Sequence, residues 1–204
     1  MTPSTENTPY QLRKSGHRLF FENDETLSPW HDIPLFADSE KETMNMIVEI
    51  PRATNTKMEV SKDEQHNPIE QDVSKGEPRM IADVAPFKGS PCNYGALPHG
   101  DDDPLDVCEI GDGVAYCEEV KRVKPLGAFA VLDEGETDWK VDVEASLPGY
   151  LDSLKTWYRV YEVPDGKLEN DIALEGKVED KRFAFDLIKR CRAEWEKSRK
   201  GYPG

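Results

Sequence analysis

Short stretches in which apolar and polar residues alternate recur from Met44 to Val143, and helical spacing appears only after them. A two-residue period sends successive side chains to opposite faces of a strand, so each stretch has one face to bury and one left for solvent or a site. Met46, Val48 and Ile50 alternate with Asn45 and Glu49 until Pro51 closes the run. Met58 and Val60 alternate with Lys57, Glu59 and Ser61, which places Lys57 and Glu59 on one face. Further strands are predicted over 79–84, 105–110, 119–123, 127–133 and 137–143, the last setting Trp139, Val141 and Val143 against Asp138, Lys140 and Asp142. A polar connector with a Lys75-Gly76 turn signal precedes the first of these. Three prolines and three glycines make residues 86–100 read as loop.

Two helices are predicted near the end of the chain. Leu151, Leu154 and Tyr158 fall at i, i+3 and i+7; Ala184, Leu187, Ile188, Cys191 and Trp195 form a longer stripe that Gly201 ends. Closely spaced short strands followed by helices predict an α+β fold, a small barrel or strongly curved sheet with helices outside it. Residues 1–16 are polar and are expected to form a flexible arm, leaving 17–204 as one domain.

Charge narrows the function. Asp and Glu number 41 against 26 Lys and Arg, a net −15, which repels phosphate backbones and anionic lipid and argues against nucleic-acid or membrane partners. Such a protein binds an anion only where local cations or metal ions reverse the field. No apolar run approaches the ~20 residues of a membrane helix, and the first residues look like neither a signal peptide nor a good transit peptide. Cys92, Cys108, Cys117 and Cys191 show no metal-binding spacing. Reduced thiols and a cytoplasmic location are expected, in preference to a mitochondrial one.

Gly100-Asp101-Asp102-Asp103-Pro104-Leu105-Asp106 is the most informative stretch. Its carboxylates repel one another unless something cationic sits among them. With Leu105 directed into the core, Asp106 faces the same site as the turn before it, giving the all-oxygen donor set that hard ions such as Mg²⁺ prefer. An EF-hand loop counted from Asp101 fails at Asp106 and Asp112, and a DxDxT motif fails at Leu105. Asp133 and Asp138 flank a second acidic turn that a hairpin brings to one barrel mouth, near Lys57, Glu59 and Arg79.

The stretch from Asp101 to Val107 resembles the D-x-D-P-x-D-x signature of family I soluble inorganic pyrophosphatases. Similarity to the eukaryotic branch runs from about Arg18 to Gly201, through His31–Leu35, Met46–Arg52, Asn93–Pro98, Asp103–Gly111, Leu132–Lys140 and Val163–Lys167. The resemblance implies an OB-like barrel with flanking α-helices, hydrolysis of pyrophosphate to two phosphates, several Mg²⁺ ions per site, and a homodimer. It also implies roles for particular residues. Asp101, Asp106 and Asp138 hold the metal pair at the attacking water, and Asp103 is its general base. Asp133 and Glu59 serve the metals that arrive with substrate; Lys57, Arg79, Tyr94, Lys140 and Tyr161 hold the phosphates.

The six carboxylates against Lys57, Arg79 and Lys140 leave −3. Pyrophosphate takes this to about −7, which asks for roughly three or four divalent ions. His31, His66 and His99 suit a hard ion less well than these oxygens do.

This chain departs from the family pattern in several places. Ser90 stands where eukaryotic members carry a tyrosine, and Glu162 stands where a phosphate-binding lysine follows the site tyrosine. Each unit of charge changed at ~5 Å and an effective dielectric of ~20 is worth about 3 kcal/mol. Lys167 keeps its place, while the loops near Pro98–Gly100 and Val143–Leu147 are short. These departures raise the alternative of a weakened paralogue that binds phosphate or a protein partner on the same scaffold.

Overall fold

The computed structural model describes residues 10–40, 42–133, 136–143 and 149–200. Its centre is a nine-stranded sheet whose main path runs Val120–Val123, Thr43–Ile50, Asn93–Leu97, Leu105–Glu109, Glu136–Val143, Gly127–Asp133 and Asp171–Ile172. Phe36–Asp38 adds to Thr43–Ile50, and Glu179–Asp180 adds to Gly127–Asp133. Leu105–Glu109 and Glu136–Val143 are parallel, with Val107 opposite Val141. The residues between them supply two further strands of the same sheet, the long connection that parallel neighbours need. A second sheet joins Gln11–Ser15, Arg18–Asn23, Ile69–Gln71 and Met58–Val60, with Glu25–Leu27 on Arg18–Asn23. Among the described residues both paths end at edge strands and do not close into a ring, so the OB-like α+β fold is built from open sheets.

Alternation along the strands decides which layer each side chain joins. In Leu105–Glu109, Val107 packs with Met44, Met46, Val48 and Ala128 under Ala184, Phe185, Leu187 and Ile188 of α2 (Lys181–Lys200). Its neighbour Cys108 packs with Ile50, Phe129 and Val131 under Leu154, Trp157 and Tyr158 of α1 (Tyr150–Val160). The two helices therefore cover opposite faces of the sheet at this strand. A third cluster, Phe21, Trp30, Ile33, Val60 and Ile69 with Ile47, fastens the second sheet to the first.

Thr43–Ile50 contains a bulge. Tyr94 is opposite Ile50 but Gly95 is opposite Val48, so Glu49 is the extra residue. The change of parity explains why Val48 joins the α2 cluster and Ile50 the α1 cluster. Strands approach closely here: a Cβ on Gly95 would lie 1.9 Å from the Ile47 carbonyl oxygen.

The structure differs from the sequence reading along the chain as well as in the open sheets. Gln11–Ser15, the end of the expected arm, is a fully exposed strand paired with Arg18–Asn23, so its order comes from backbone pairing and not from burial. Residues 79–84 form no strand beyond an isolated bridge between Thr56 and Met80. Their backbone is tied to loop carbonyls, Arg79 N to Asp72 O at 2.8 Å and Ile81 N to Asn55 O at 2.6 Å. Asn93–Leu97 is a central strand inside the Pro/Gly-rich stretch. The Lys75-Gly76 signal is a hairpin turn, with both φ positive (55° and 84°) between Val73–Ser74 and Glu77–Pro78.

Candidate active site

The acidic turn is folded tightly enough to require glycine at its start, since a Cβ on Gly100 would lie 2.0 Å from the Asp103 carbonyl oxygen. Beyond the turn Leu105 packs against the α2 cluster, and strand alternation turns Asp106 to the other face. There buried Lys140, from the adjacent parallel strand, donates to Asp106 Oδ2. The same ammonium lies 5.5 Å from the Tyr94 ring centre and 5.7 Å from that of Tyr158, so aromatic faces line the charge on its protein side. Asp103 remains on the turn, where Lys62 Nζ donates to its Oδ2 at 2.8 Å. Burial raises the Asp103 pKa; Lys62 opposes this, and Asp106 and Asp102 add to it.

Glu49 completes this acidic group. The bulge carries its buried side chain to where Oε1 accepts the Val60 N–H at 2.8 Å. Its pKa is pushed up to about 8, chiefly by burial and then by Asp106, with Val60 opposing and Glu59 and Asp103 adding their repulsion.

A second group collects the cations. Asp72 Oδ2 accepts from Lys57 Nζ at 2.6 Å and from Arg79 Nη1 at 2.7 Å. Burial alone would raise the Asp72 pKa, but these two cations outweigh it and hold it below the usual range. Lys57 Nζ also lies 3.6 Å from Glu59, whose pKa burial raises against the pull of Lys57. Arg79 Nη2 reaches Glu162 Oε1 at 3.1 Å, and Lys167 Nζ reaches the same oxygen at 3.1 Å. Tyr161 ends α1, its ring stacked on Trp157 at 4.7 Å and its hydroxyl near enough to Arg79 for their charges to interact.

The expected residues are thus gathered unevenly. Asp103, Asp106, Lys140 and Tyr94 adjoin one another, and Lys57, Glu59, Arg79 and Tyr161 form the neighbouring cluster. Asp101 is exposed on the side of Cys191; burial of that thiol, with Asp101 next among the causes, pushes it up to about 11. In the backbone register Asp133 is opposite Glu136 at the hairpin end, and Asp138 is opposite Val131. The side chains of Asp133 and Asp138, like residues 134–135 and 144–148, lie outside the described residues.

Three participants escaped the sequence reading. Glu49 is hidden by the bulge, Asp72 lies in the polar connector and Lys62 just before it, neither in a motif. Ser90 is buried and donates to the Cys92 carbonyl at 2.8 Å, fixing its own loop. His31 and His99 pack with Trp195, whose Nε1 donates to His31 Nδ1 at 2.9 Å while His99 stacks on it at 3.9 Å.

The donor set suits a hard divalent ion. The candidate metal ligands at the acidic end are carboxylates, and Asp103 and Glu49 have raised pKa values partly because like charges face them. Among the described residues no three such groups converge into a coordination sphere.

Comparison with known proteins gives a consistent result. The inorganic pyrophosphatase family profile matches residues 46–196. The inorganic pyrophosphatase of Emericella nidulans is 45% identical over 227 residues, covering 92% of this chain and 79% of that protein. The inorganic pyrophosphatase structure from Schistosoma japonicum superposes with a TM-score of 0.87 at 38% identity, covering 92% of this chain and 80% of that one. A truncated vacuolar soluble pyrophosphatase from Trypanosoma cruzi, in complex with PPi, superposes with a TM-score of 0.83 at 30% identity, covering 94% and 90%.

Proposed function

The chain belongs to the inorganic pyrophosphatase family, in its eukaryotic family I branch, and we propose that it works where its carboxylate and cation clusters adjoin. The reaction is hydrolysis of inorganic pyrophosphate to two phosphates. The observation that supports the reading is the adjacency of the two clusters: Glu49 faces the charges of both Asp106 and Glu59, Lys140 joins Asp106 beside Tyr94, and Asp72 and Glu162 hold Lys57 and Arg79.

Asp101, Asp106, Asp138, Asp133 and Glu59 would hold several Mg²⁺ ions, being oxygen donors suited to a hard cation; when bound, such ions would supply a water of lowered pKa and neutralise phosphate charge. The protein's own part is orientation and proton transfer. Asp103, with a pKa raised toward the working range, accepts the proton of the attacking water. Lys62 holds that carboxylate in place before reaction. Lys57, Arg79 and Lys140 take the phosphate oxygens, and the Tyr94 and Tyr161 hydroxyls donate to them. Lys140 is already desolvated, so its charge acts on the leaving phosphate with little water to screen it.

The chain works as a homodimer in the cytoplasm, a reading that rests on its resemblance to eukaryotic members. Among the described residues no helix is long and apolar enough to cross a membrane. Its net charge of −15 disfavours nucleic-acid partners.

Phosphate release from pyrophosphate tests the reading. Release is expected with Mg²⁺, none after exhaustive chelation, and a loss of at least about a hundredfold in Asp103→Asn. Hydrolysis undiminished by chelation sinks the metal-dependent assignment. Equal rates in the wild type and Asp103→Asn favour a phosphate-binding paralogue instead.

A further inference from the structure

Glu162 places a carboxylate inside the phosphate-binding cluster. Its side chain is buried, 3% exposed, and Oε1 accepts from Arg79 Nη2 and from Lys167 Nζ, each at 3.1 Å. One anionic oxygen shared by a guanidinium and an ammonium is the arrangement that a phosphate oxygen adopts with the same pair. Arg79 is occupied on its other terminal nitrogen too, since Nη1 donates to Asp72 Oδ2 at 2.7 Å. Both ends of the guanidinium thus already face a carboxylate.

The backbone keeps Glu162 there. It follows Tyr161 at the end of α1, and its carbonyl accepts from Asp165 N at 3.0 Å and from Lys167 N at 3.4 Å. Gly166, with φ 85°, turns the chain so that Lys167 comes back over the carboxylate. The second oxygen, Oε2, is buried and accepts no hydrogen bond among the described residues. Neutral donors do not hold this group in place; the cations do.

We propose that Glu162 is a resident competitor for the phosphate site, and that it sets how tightly this protein holds orthophosphate product and pyrophosphate. A phosphate arriving at Arg79 and Lys167 must displace the carboxylate or accept its repulsion. At ~5 Å and an effective dielectric of ~20 one unit of like charge lowers affinity by about a hundredfold, before screening by bound cations reduces it. The site releases phosphate readily, and a neutral residue here makes it retain phosphate. The inference rests on the placement of phosphate at Arg79 under Proposed function, and adds Lys167 through the Glu162 oxygen that the two cations share.

Orthophosphate binding in Mg²⁺ buffer, followed by calorimetry without turnover, is compared for the wild type, Glu162→Gln and Glu169→Gln. Glu169 pairs with Arg159 on the surface and matches the charge change. Glu162→Gln is expected to bind orthophosphate at least tenfold more tightly and to lower the KM for pyrophosphate by a larger factor than kcat changes, while Glu169→Gln matches the wild type. Unchanged or weaker phosphate binding in folded Glu162→Gln overturns the proposal. If Gln fails to fold, Glu162→Met, which needs no hydrogen-bond partner, carries the same expectation. Failure of both to fold makes Glu162 a structural anchor and also overturns it. A wild type that releases no phosphate from pyrophosphate defeats the functional reading separately, because the orthophosphate titration reads Glu162 without any turnover.

Discussion

Lys140 and Asp106 form an ion pair across the parallel strands Leu105–Glu109 and Glu136–Val143, with the lysine side chain 6% and the aspartate side chain 22% exposed. The asymmetry decides what each substitution does. Asp106→Asn takes the carboxylate from a buried ammonium and is expected to destabilise the chelated protein by about 2–4 kcal/mol. Lys140→Met leaves a carboxylate that still reaches water and is expected to cost about half as much or less. Both should lower pyrophosphate hydrolysis by at least about a hundredfold. Urea unfolding beside phosphate release checks this; equal destabilisation by the two variants contradicts it.

Glu49 makes stability depend on pH. Its folded pKa of about 8 lies above its ordinary 4.5, so the folded protein holds this proton more strongly than the unfolded chain does. The stabilisation is complete below about 4.5 and is lost as pH rises through 8. In metal-free protein the loss across that window is on the order of 3–5 kcal/mol. Glu49→Gln, which keeps an acceptor for the Val60 N–H, is expected to flatten this part of the curve and to be more stable than wild type near pH 9. Parallel curves for the two proteins from pH 5 to 9 are the contrary result.

The acidic turn was legible because its density of charge is unusual and its spacing is specific, and the strand 127–133 because its run is unbroken. The alternation 44–50 gave the strand but misled about Glu49, because one bulge reverses parity and no local pattern marks it. Asn93–Leu97 was concealed by flanking prolines and by a glycine that close strand approach requires. Asp72 joined the site through pairing 15 residues from Lys57, a tertiary fact that periodicity does not carry. The charge reversal at Glu162 was visible in the sequence, but its partners Arg79 and Lys167 emerge only when the end of α1 meets the loop at 79.

Gly95 marks a close approach of two strands in the central sheet. With a Cβ 1.9 Å from the Ile47 carbonyl oxygen, Gly95→Ala forces Asn93–Leu97 away from Thr43–Ile50. Backbone opposes backbone here, so no side chain can rotate aside. The variant is expected to lose more than about 3 kcal/mol or to fail to fold. Gly113→Ala, where a Cβ meets nothing within 4 Å, is the matched control and should melt with the wild type. A Gly95→Ala melting curve that overlays the control contradicts the close approach.

Mg²⁺ should stabilise the fold as well as permit turnover. Asp103 and Glu49 resist ionisation first through burial and then through their acidic neighbours. A divalent ion among those carboxylates turns that repulsion into attraction, and any ligand bound only by the folded chain stabilises it by mass action. At a hundred times its dissociation constant one such ion contributes about 2.7 kcal/mol. The melting temperature is therefore expected to rise by several degrees with millimolar Mg²⁺ and not with NaCl of equal ionic strength. Asp106→Asn should lose most of that rise, because it removes a donor without disturbing the exposed turn. Equal shifts from the two salts would mean that only general screening is at work.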